Sequence, residues 1–477
     1  MIPVYRQVNA DLDTPVSAFL KLKKNGYAFL LESVEGQEKI ARYSFLGSNP
    51  SLVFKSKGRD VEIRYPHNKA VRRFTATTDP LDEIKKIMCE FKPVAVKGLP
   101  RFYGGLVGYI GYDMVRFFER IPDKNPDDLN LPDAFFILTD TILVFDHVNH
   151  TVKIVTNCML PKTKSARSLS QRSRLYRSAI KKVDSIYADF KKHKVLRPEK
   201  TFSFGRVVSS NVTRPGFTEM VRRAKAYIKK GDIIQAVVSQ RFNVSTEKEP
   251  FDIYRSLRSL NPSPYMFYLQ LKDVTLIGSS PEIHVRCEDG IARIRPIAGT
   301  RPRGSTPRQD DQLQQELLRD TKEKAEHIML VDLARNDLGR VCKMGQVKVS
   351  EFMAVERYSH VMHLVSEVEG PLLPRYDIYD LLRATFPAGT VSGSPKIRAM
   401  EIIDELENVR RGPYAGCVGY FSFSQNMDTC ITIRTIVAKD HKAYVQAGAG
   451  IVADSIPEKE YAESVNKARA LIEAITT

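Results

Sequence analysis

The sequence predicts an α+β fold in which layered antiparallel β-sheets are flanked by helices. Two β-hairpins can be recognised, one at 52–65 that turns at Lys57 and Gly58, and one at 141–155. Strand-like and helical patterns follow one another in blocks rather than in strict strand–helix units, which disfavours a doubly wound parallel sheet. Of the 477 residues, 43% are hydrophobic and 27% are charged, which is typical of a globular protein and excludes a disordered or fibrous one.

The individual elements follow from hydrophobic periodicity. The segment 79–91, between the two hairpins, has a helical pattern. Further helical patterns occur at 214–230, 249–260, 309–342, 375–385, 394–407 and 457–476. Further strand-like runs occur at 265–279, 282–299, 416–425, 429–439 and 442–448. The change in character along the chain predicts an N-terminal domain at 1–160, a linker at 161–205 and a second domain at 206–477.

The net charge of +17 is unevenly distributed, because residues 161–200 contain 13 basic and 3 acidic residues. The apolar residues of this stretch recur at intervals of four and three: Tyr176, Ile180, Val183, Tyr187 and Phe190. This spacing predicts a basic amphipathic helix that packs on the body or links two domains. A surface for a polyanion or an acidic partner is the alternative. No zinc finger or RNA-binding motif supports a nucleic-acid-binding protein.

The sequence also indicates where the protein is located. No apolar run approaches the roughly 20 residues of a membrane-spanning helix, and the N-terminal segment lacks the pattern of a secretory signal. The six cysteines are far apart and form no C-x-x-C pair, which argues against a disulfide framework or a structural zinc site. These features predict a soluble, cytoplasmic protein with no membrane partner.

Two helical segments carry acidic residues with helical spacing. Glu323 and Glu326 are separated by one turn, and Glu460, Glu463 and Lys467 follow at i, i+3 and i+7, so each set lies on one helix face. Carboxylates from two helices suit a hard divalent cation such as Mg²⁺. Helices rich in glutamate and lysine also commonly present charge to solvent, so the pattern alone leaves both interpretations open. Neither helix has the Glu-x-x-His pair of a di-iron site.

Cationic side chains indicate an anionic ligand. The run IRPIAGTRPRG at 294–304 places Gly299 and Thr300 beside three arginines. Arg434 in CITIRT and Lys467 could add to this set. Arginine and lysine with these neighbours predict recognition of carboxylates or phosphates.

Three other features are less specific. The loop 386–396 places Ser394 as the expected N-cap of a helix whose free amides would bind an anion. The glycines at 448–450 follow a strand and suit a backbone that approaches a ligand closely. His363 could act as a general acid or base, although a histidine on an apolar stretch is often a core residue.

Seven motifs occur in order along the chain: PIAGTRPRG, KAEHIMLVDLARNDLGRV, VMHLVSEVEG, FPAGTVSGSPKIRAMEIIDELE, RRGPYAGCVGYFSF, DTCITIRT and VQAGAGIVADSIPEKEYAE. Together they closely resemble the chorismate-utilising enzymes, and more narrowly the anthranilate synthase component I family of large synthase subunits. The resemblance extends from about Leu30 to the C-terminus and is densest after residue 206.

The resemblance implies layered antiparallel sheets with an active site in the C-terminal portion. It also implies that ammonia attacks ring C2 of chorismate with loss of the C4 hydroxyl, and that pyruvate is then eliminated to give anthranilate, with Mg²⁺ as cofactor. The implied catalytic residues are His363, Thr390, Glu323, Glu460 and Glu282. The implied chorismate-binding residues are Gly299, Thr300, Tyr414, Arg434, Gly448, Ala449, Gly450 and Lys467, and the implied Mg²⁺ ligands are Glu326 and Glu463.

Among these, His363 matches the family histidine associated with pyruvate elimination, Thr390 lies in the substrate loop, and Glu282 matches an active-site acid. Two positions separate the sibling families. The aminodeoxychorismate synthases, which are the alternative, carry a lysine in PIKGT where this sequence has Ala298, and alanine cannot act as a nucleophile. Isochorismate and salicylate synthases carry a water-activating lysine where this chain has Gln235.

The segments LLESVEG (30–36) and NPSPYMFY (261–268) resemble a feedback site for tryptophan. The residues implied to contact the inhibitor are Ser33, Pro264, Tyr265 and Met266. Both segments could instead be core loops. The sequence shows no Cys-His-Glu glutaminase, so the resemblance implies a hetero-oligomer in which a separate glutamine amidotransferase supplies ammonia, or else the use of free ammonium.

Overall fold

The computed structural model describes residues 1–23, 26–33, 42–160, 169–192, 208–358 and 361–477. The helices in these ranges are α1 (Pro15–Leu22), α2 (Pro80–Cys89), α3 (Leu169–Lys191), α4 (Arg214–Lys230), α5 (Pro250–Leu260), α6 (Pro307–Arg319), α7 (Thr321–Gly339), α8 (Ile378–Thr385), α9 (Lys396–Leu406) and α10 (Pro457–Thr476). Short 3-10 turns occur at Tyr112–Phe117 and Gly389–Val391. None of the described helices has the length and apolar character needed to cross a bilayer.

The strands of the first half of the chain are β1 (Ile2–Asn9), β2 (Tyr27–Glu32), β3 (Tyr43–Ser48), β4 (Leu52–Lys57), β5 (Asp60–Tyr65), β6 (Ala70–Thr75), β7 (Gly105–Ile110), β8 (Ala134–Thr139), β9 (Thr141–Asp146), β10 (Thr151–Cys158), β11 (Val208–Ser210) and β12 (Gln235–Ser245). Those of the second half are β13 (Tyr265–Leu271), β14 (Val274–Ser280), β15 (Ile283–Glu288), β16 (Ile291–Ile294), β17 (Ile297–Pro302), β18 (Lys348–Arg357), β19 (Val361–Pro371), β20 (Gly393–Ser394), β21 (Cys417–Ser422), β22 (Met427–Ile431), β23 (Thr435–Lys439) and β24 (Lys442–Ile451).

These strands form two 12-stranded sheets. The first sheet has the order β1-β10-β9-β3-β2-β13-β14-β23-β24-β12-β11, and β20 also pairs with β12. The second has the order β17-β19-β16-β15-β22-β21-β7-β8-β4-β5-β6, and β18 also pairs with β19. Neighbouring strands are antiparallel in both sheets, for example β12 with β24 and β7 with β21. The predicted α+β architecture of layered antiparallel sheets with flanking helices is confirmed.

Both ends of the chain contribute to each sheet. In the first sheet β2 pairs with β13, so Leu30 lies opposite Tyr268. In the second sheet β7 pairs with β21, so Gly108 lies opposite Gly419. The division into segments 1–160, 161–205 and 206–477 stays a prediction, and the first and last of these segments share continuous sheets.

The main apolar core contains side chains from both sheets. Phe45 of β3 packs edge-on against Phe102 and against Tyr420 of β21, with ring centroids 5.3 and 5.9 Å away. A second core lies between the first sheet and a layer formed by α1, α3, α5 and α10. The sheets therefore face one another across a shared interior, and the first sheet is covered by helices on its other side.

Helix α3 lies in the predicted basic linker, of which residues 161–168 and 193–205 are outside the described residues. The helix packs on α1, β1 and β10. Val183 and Phe190 are buried, whereas Tyr176, one position on the predicted apolar face, is exposed. The arrangement agrees with an amphipathic helix that covers the first sheet.

The helical pattern at 309–342 forms two helices rather than one. Asp320 ends α6 and is also the N-cap of α7, where its carboxylate accepts hydrogen bonds from the amides of Lys322 and Glu323 at 3.0 and 3.2 Å. A carboxylate at this position satisfies amides that have no partner within the helix, and so it sets a new helix start.

The prediction that Ser394 is an N-cap is wrong. Ser394 lies in β20, opposite Gln235 of β12, and α9 begins at Lys396 with Pro395 as the preceding residue. Strand pairing therefore continues up to the start of the helix, and no side chain caps its first amides. The sequence signal for a serine cap and the requirement of the sheet compete here, and the sheet pairing prevails.

Candidate active site

A cavity of about 190 Å³ lies between the two sheets. Its wall includes β24 of the first sheet, β17 and β19 of the second, and the 3-10 turn at 389–391. The residues predicted from the resemblance that line it are Glu282, Thr300, His363, Thr390, Tyr414, Arg434, Gly448, Gly450 and Lys467. Side chains that are distant in sequence thus converge on one space.

Glu282 provides a buried carboxyl group in this cavity. It lies just before β15 and is 6% exposed, and Thr390 Oγ1 donates a hydrogen bond to its Oε1 at 2.6 Å. Burial raises the pKa of Glu282 to about 8, although the Thr390 hydrogen bond and the charge of Lys467 oppose that rise. At neutral pH the carboxyl group therefore retains a proton that it can donate.

His363 is held by the backbone of β17. Its Nδ1 lies 3.0 Å from the carbonyl oxygen of Gly299 and 3.0 Å from Thr300 Oγ1. Burial lowers the pKa of His363, which the Gly299 carbonyl partly counteracts. Because a carbonyl can only accept, the neutral ring carries its proton on Nδ1 and leaves Nε2 as the free base.

A bulge in β17 produces this contact. The pairing of β17 with β19 is irregular between Ala298 and Thr300, and Gly299 has φ +70°, a conformation that favours glycine. A Cβ on Gly299 would lie 3.1 Å from Leu317 and 3.3 Å from a carboxylate oxygen of Glu323. The glycine therefore lets helix α7 approach the strand that positions the histidine.

Arg434 and Tyr414 supply groups for an anion. In the part of the chain that the structure describes, no carboxylate forms an ion pair with Arg434. Burial lowers the pKa of Arg434 while leaving the guanidinium charged at neutral pH, and burial raises the pKa of Tyr414 to about 12, so its hydroxyl keeps its proton. A cation without an ion-pair partner beside a phenolic donor can bind a carboxylate.

The glycines of β24 form a flat section of the wall. A Cβ on Gly448 would lie 2.5 Å from the carbonyl oxygen of Val238 and 2.9 Å from the hydroxyl of Tyr414. A Cβ on Gly450 would lie 2.8 Å from Nε2 of Gln235. Side chains at these positions would collide with the neighbouring strand, so the backbone itself is available to a ligand. Ala449, between them, points away and is fully buried in a separate core.

Lys467 connects this strand to helix α10. Its Nζ donates to the carbonyl oxygen of Gly448 at 3.1 Å and pairs with Glu463 at 2.7 Å. The charge of Lys467 also acts on Glu282 and on Glu326. The lysine therefore lies between the cavity and the acidic residues of α7 and α10.

The four predicted carboxylates lie on α7 and α10, and charges from both helices act on Glu326. Burial raises the pKa of Glu326, and the negative charges of Glu323 and Glu463 add to that effect. Burial likewise raises the pKa of Glu460, with a further contribution from Glu463. Among the described residues, no three histidine, cysteine or acidic side chains form a group that could hold a metal ion alone. The helices thus supply an acidic site in which a cation would reduce the repulsion between carboxylates. Other ligands would have to complete the coordination of that cation.

One polar side chain that lines the cavity was not predicted from the sequence. Gln446 lies two residues before Gly448 on the same face of β24 and lines the cavity. Strand alternation within the motif VQAGAG could have identified it, because residues 446, 448 and 450 share a face.

A second, smaller cavity of about 50 Å³ contains all four residues predicted to contact tryptophan: Ser33, Pro264, Tyr265 and Met266. Its charged side chains are paired. Arg286 donates from Nε to Asp428 and from Nη2 to the Tyr265 hydroxyl, both at 3.0 Å, and Tyr265 donates to Asp428 at 3.0 Å. Arg101 donates to Glu288 at 2.8 Å. The hydroxyl of Ser33 is buried without a hydrogen-bond partner in the described residues.

The sequence model of the chorismate binding enzyme family matches residues 26–473, which includes both cavities. The chain belongs to this family. The family match agrees with the convergence of the predicted residues on one cavity, and it makes the protein an enzyme of the chorismate binding group.

Relatives of this chorismate binding enzyme are similar over nearly their whole length. Anthranilate synthase component 1 of Aquifex aeolicus is 50% identical over 476 residues, which cover 100% of this chain and 94% of that protein. The protein of the same name from Acetivibrio thermocellus is 49% identical over 481 residues, covering 100% of this chain and 95% of that protein.

Solved structures show the same architecture. The crystal structure of anthranilate synthase component I from Streptococcus pneumoniae TIGR4 has 37% sequence identity and a TM-score of 0.79, and the match covers 97% of this chain and 98% of that chain. MenF, the menaquinone-specific isochorismate synthase from Escherichia coli, has 19% identity and a TM-score of 0.73, with 100% and 95% covered. The second likeness concerns the fold alone.

Proposed function

We propose that this protein is the synthase subunit of an anthranilate synthase and converts chorismate and ammonia to anthranilate and pyruvate, with Mg²⁺ as cofactor. The observation that carries the proposal is the cavity that contains both a protonated acid, Glu282, and a cation, Arg434, that has no ion-pair partner among the described residues. Relatives named anthranilate synthase component 1 at 50% and 49% identity support the choice of reaction.

Substrate binding follows from charge. Chorismate carries two carboxylates, and the cavity offers Arg434, the phenol of Tyr414 and the backbone of Gly448 and Gly450. Charge-assisted hydrogen bonds to carboxylates are the strong ones, and they gain further strength where water is excluded. We expect Arg434 and Tyr414 to hold one carboxylate, with the glycine backbone against the substrate.

Two proton transfers follow from the pKa directions. Glu282, whose pKa is raised to about 8, donates a proton to the C4 oxygen as the C–O bond breaks, and Thr390 holds the carboxyl group in place. His363 is neutral, with Nε2 free, and so it can accept a proton from the aminated intermediate during elimination of pyruvate. The acid and the base are thus separate groups whose environments move their pKa values in opposite senses.

The acidic residues of α7 and α10 fit Mg²⁺. Burial, with repulsion from neighbouring carboxylates, raises the pKa of Glu326 and of Glu460, and carboxylate oxygens are ligands that Mg²⁺ prefers. Glu326 and Glu463 would hold the ion, with Glu323 and Glu460 beside them. Mg²⁺ commonly binds through one or two protein carboxylates together with water and substrate oxygens, which agrees with the incomplete protein ligand set. When bound, the ion would neutralise a substrate carboxylate.

The residues at two positions disfavour the sibling reactions. Ala298 lines the cavity and offers no amine that could attack the ring, as an aminodeoxychorismate synthase would need. Gln235 lies against Gly450, and its amide cannot act as the base that would activate water for an isochorismate synthase. Ammonia therefore remains as the nucleophile.

We further propose that tryptophan inhibits the enzyme from the second cavity and that a separate glutamine amidotransferase supplies ammonia in a hetero-oligomer. Ser33 and the segment 264–266 line that cavity, and the buried hydroxyl of Ser33 has no hydrogen-bond partner in the described part of the chain. The cavity of about 50 Å³ must widen to admit an indole ring. We place the enzyme in the cytoplasm, in agreement with its free cysteines.

The deciding experiment uses the purified protein with chorismate, Mg²⁺ and excess ammonium. We expect fluorescent anthranilate, confirmed by product mass, and its loss on addition of EDTA. Consumption of chorismate with a different product mass would contradict the proposed reaction. Addition of tryptophan to the same assay tests inhibition, and replacement of ammonium by glutamine plus an amidotransferase subunit tests the source of ammonia.

A further inference from the structure

Arg411, in the loop between α9 and β21, is a buried arginine behind the wall of the larger cavity. Its side chain is 1% exposed, and Glu407 balances its charge by accepting from Nε at 2.9 Å and from Nη2 at 2.7 Å. The same guanidinium donates from Nη1 to the carbonyl oxygen of Val391 at 2.7 Å and from Nη2 to that of Val237 at 2.6 Å. Val391 and Val237 both line the cavity. One side chain therefore joins two separate segments of the cavity wall.

The guanidinium lies where the pairing of β12 with β20 ends. Strand β20 pairs with β12 over 2 residues, and the Val237 amide then donates to the carbonyl oxygen of Ser392 at 2.9 Å. The preceding residues of the chain leave the sheet and form the 3-10 turn at 389–391. Because the planar fork of an arginine can donate to two acceptors at once, Arg411 spans the gap that opens between β12 and this turn. It thereby holds Val391 at a set distance from β12.

The 3-10 turn carries the hydroxyl group that holds the acid of the cavity. Thr390 donates to Glu282 Oε1 at 2.6 Å, and this bond opposes the rise in pKa that burial causes, because it favours the ionised carboxyl group. The charge of Lys467 on α10 acts in the same direction. His363 and Arg434 face the same cavity from other elements. A displacement of the turn would change the bond to Glu282 and leave these three groups in place.

The same guanidinium also supports the phenol of the cavity. Its central carbon lies 5.5 Å from the ring centroid of Tyr414 and 4.8 Å from that of Tyr112. A cation at this distance is attracted to an aromatic ring. Tyr414 lines the cavity, so the phenolic donor and the turn that holds the acid are both supported by Arg411.

We infer that Arg411 is a positioning residue of the proposed reaction, whose guanidinium fixes the 3-10 turn so that Thr390 holds Glu282 in place for proton transfer to the C4 oxygen. The inference rests on the proposed function and adds a residue that acts through Thr390. A lysine could not fill this role, because its ammonium is a point charge without the planar fork that joins two carbonyl oxygens. The role of Glu407 is to neutralise the buried cation.

The test follows kcat for anthranilate formation against pH in wild type and in the double variant Arg411→Met/Glu407→Gln. Mg²⁺ is present, and free ammonia is held constant at each pH. The second substitution removes the carboxylate charge that would otherwise stay buried without its cation. Its amide oxygen still offers an acceptor to the backbone amide and the hydroxyl of Ser239, which lie 2.9 and 2.7 Å from Glu407 Oε1. The variant therefore removes the guanidinium with little cost in stability.

The expected result is a shift of the falling limb of the profile to higher pH. Without the bond from Thr390, the pKa of Glu282 rises above its value of about 8, so the proton is retained to higher pH. The limb should move upward by about one pH unit, the effect of one lost hydrogen bond to a charged group. Misplacement of the acid should also lower kcat below the limb roughly 10- to 100-fold. A smaller folded fraction would lower kcat at every pH without moving the limb, so an unmoved limb would overturn the inference.

Three further variants test the route and the fold. Thr390→Val should move the limb as far as the double variant does, and the combination of all three substitutions should move it no further. An additional shift in the combination would mean that Arg411 does not act through Thr390. Glu407→Gln alone is the matched control, because it keeps the guanidinium, and an equal shift in this variant would refute the assignment. Arg411→Lys keeps the charge but not the fork, and an unmoved limb there refutes the assignment even where the double variant does not fold.

Hydrogen exchange distinguishes failure of the inference from failure of the proposed function, because it needs no turnover. The amide of Ser392 donates to the carbonyl oxygen of Gly389 at 3.1 Å, and it should exchange roughly tenfold faster in the double variant, where the turn opens more often. If the wild type forms no anthranilate while this exchange rises, the proposed function fails and Arg411 still fixes the turn. If the wild type forms anthranilate while neither the limb nor the exchange changes in the variant, only the assignment of Arg411 fails.

Discussion

The two cavities differ in how their charges are balanced. In the larger one, Glu282 keeps its proton, Arg434 has no ion-pair partner in the described residues, and Gln446 has a free acceptor. In the smaller one, the arginines are matched by acidic partners, as in Arg286 with Asp428. Buried polar groups without a partner in the larger cavity are expected to form hydrogen bonds with a substrate. The paired charges of the smaller cavity stabilise the fold instead.

One strand joins the two cavities. Glu282 lies immediately before β15, and Arg286 lies within it, at about 3.3 Å per residue. Between them His284 is buried, with Nδ1 3.2 Å from Thr429 Oγ1 and Nε2 3.3 Å from the carbonyl oxygen of Thr385. The contrast between the cavities can therefore be tested by substitutions at either end of one short segment.

The largest effect should follow from removal of the acid. Glu282→Gln keeps the size of the side chain and the contact with Thr390 but cannot donate a proton to the C4 oxygen. We expect kcat for anthranilate formation to fall roughly 10²- to 10⁴-fold. Glu288→Gln, at the far end of β15, is the matched control and should retain the wild-type kcat. Equal losses in the two variants would mean that strand β15, rather than the acid, is responsible.

The charge pairs of the smaller cavity should matter most for stability. Asp428→Asn leaves Arg286 buried without its negative partner, and we expect the free energy of unfolding to fall by about 3–5 kcal/mol. Urea denaturation followed by circular dichroism measures this difference. A change below about 1 kcal/mol would show that the pair is screened like a surface salt bridge.

Removal of Arg434 should weaken chorismate binding without loss of stability, which is the opposite of the result expected for Asp428→Asn. Arg434→Met takes away a partly buried charge for which the described part of the chain offers no ion-pair partner, so the free energy of unfolding should not fall. The KM for chorismate should rise roughly 10- to 100-fold, as expected for loss of a charge-assisted hydrogen bond. An unchanged chorismate KM would remove Arg434 from the binding site.

The pH dependence should report the raised pKa of Glu282. The group acts as an acid, so activity requires the protonated form, which is lost as pH rises through about 8. With free ammonia held constant at each pH, kcat should fall about tenfold for each pH unit above that value. The same profile in Glu282→Gln should lack this decline, and a decline that persists in the variant would assign it to another group.

The smallest effect on catalysis should follow from Ser33→Phe. A phenyl ring at this position fills the smaller cavity and leaves the larger one untouched, because Ser33 lines only the former. We expect wild-type anthranilate formation in the absence of tryptophan and a strongly weakened inhibition in its presence. An unaltered inhibition curve would place the tryptophan site elsewhere.

Much of the fold was accessible from sequence where local signals are strong. Helix α4 matches the predicted bounds at 214–230, because Thr213 caps its first turn and Gly231 ends it with φ +83°. The order of strands in the sheets was not accessible, since β2 pairs with β13 and β7 with β21 across hundreds of residues. Local patterns carry no information about such long-range pairing.

The candidate site shows the same limit. The spacing of Glu323 and Glu326 predicts a shared helix face. The structure agrees, because both residues lie on α7 and the negative charge of Glu323 raises the pKa of Glu326. The orientation of the Gln446 amide depends instead on Ser239, whose hydroxyl accepts from Gln446 Nε2 and donates to Glu407. The sequence motif contains the glutamine, but only the fold determines which of its atoms is free.

The sharing of each sheet between the two ends of the chain has a consequence for biosynthesis. Strand β7 ends at Ile110, and its partner β21 begins at Cys417, about 300 residues later. At about 5–20 residues per second, the ribosome needs about 15–60 s to supply that partner. Through this interval the nascent N-terminal part has an open edge at β7, and another at β2 until β13 emerges, and unpaired edges invite association with other chains. The time that the chain spends incomplete on the ribosome, rather than the stability of the finished protein, therefore sets its greatest exposure to aggregation.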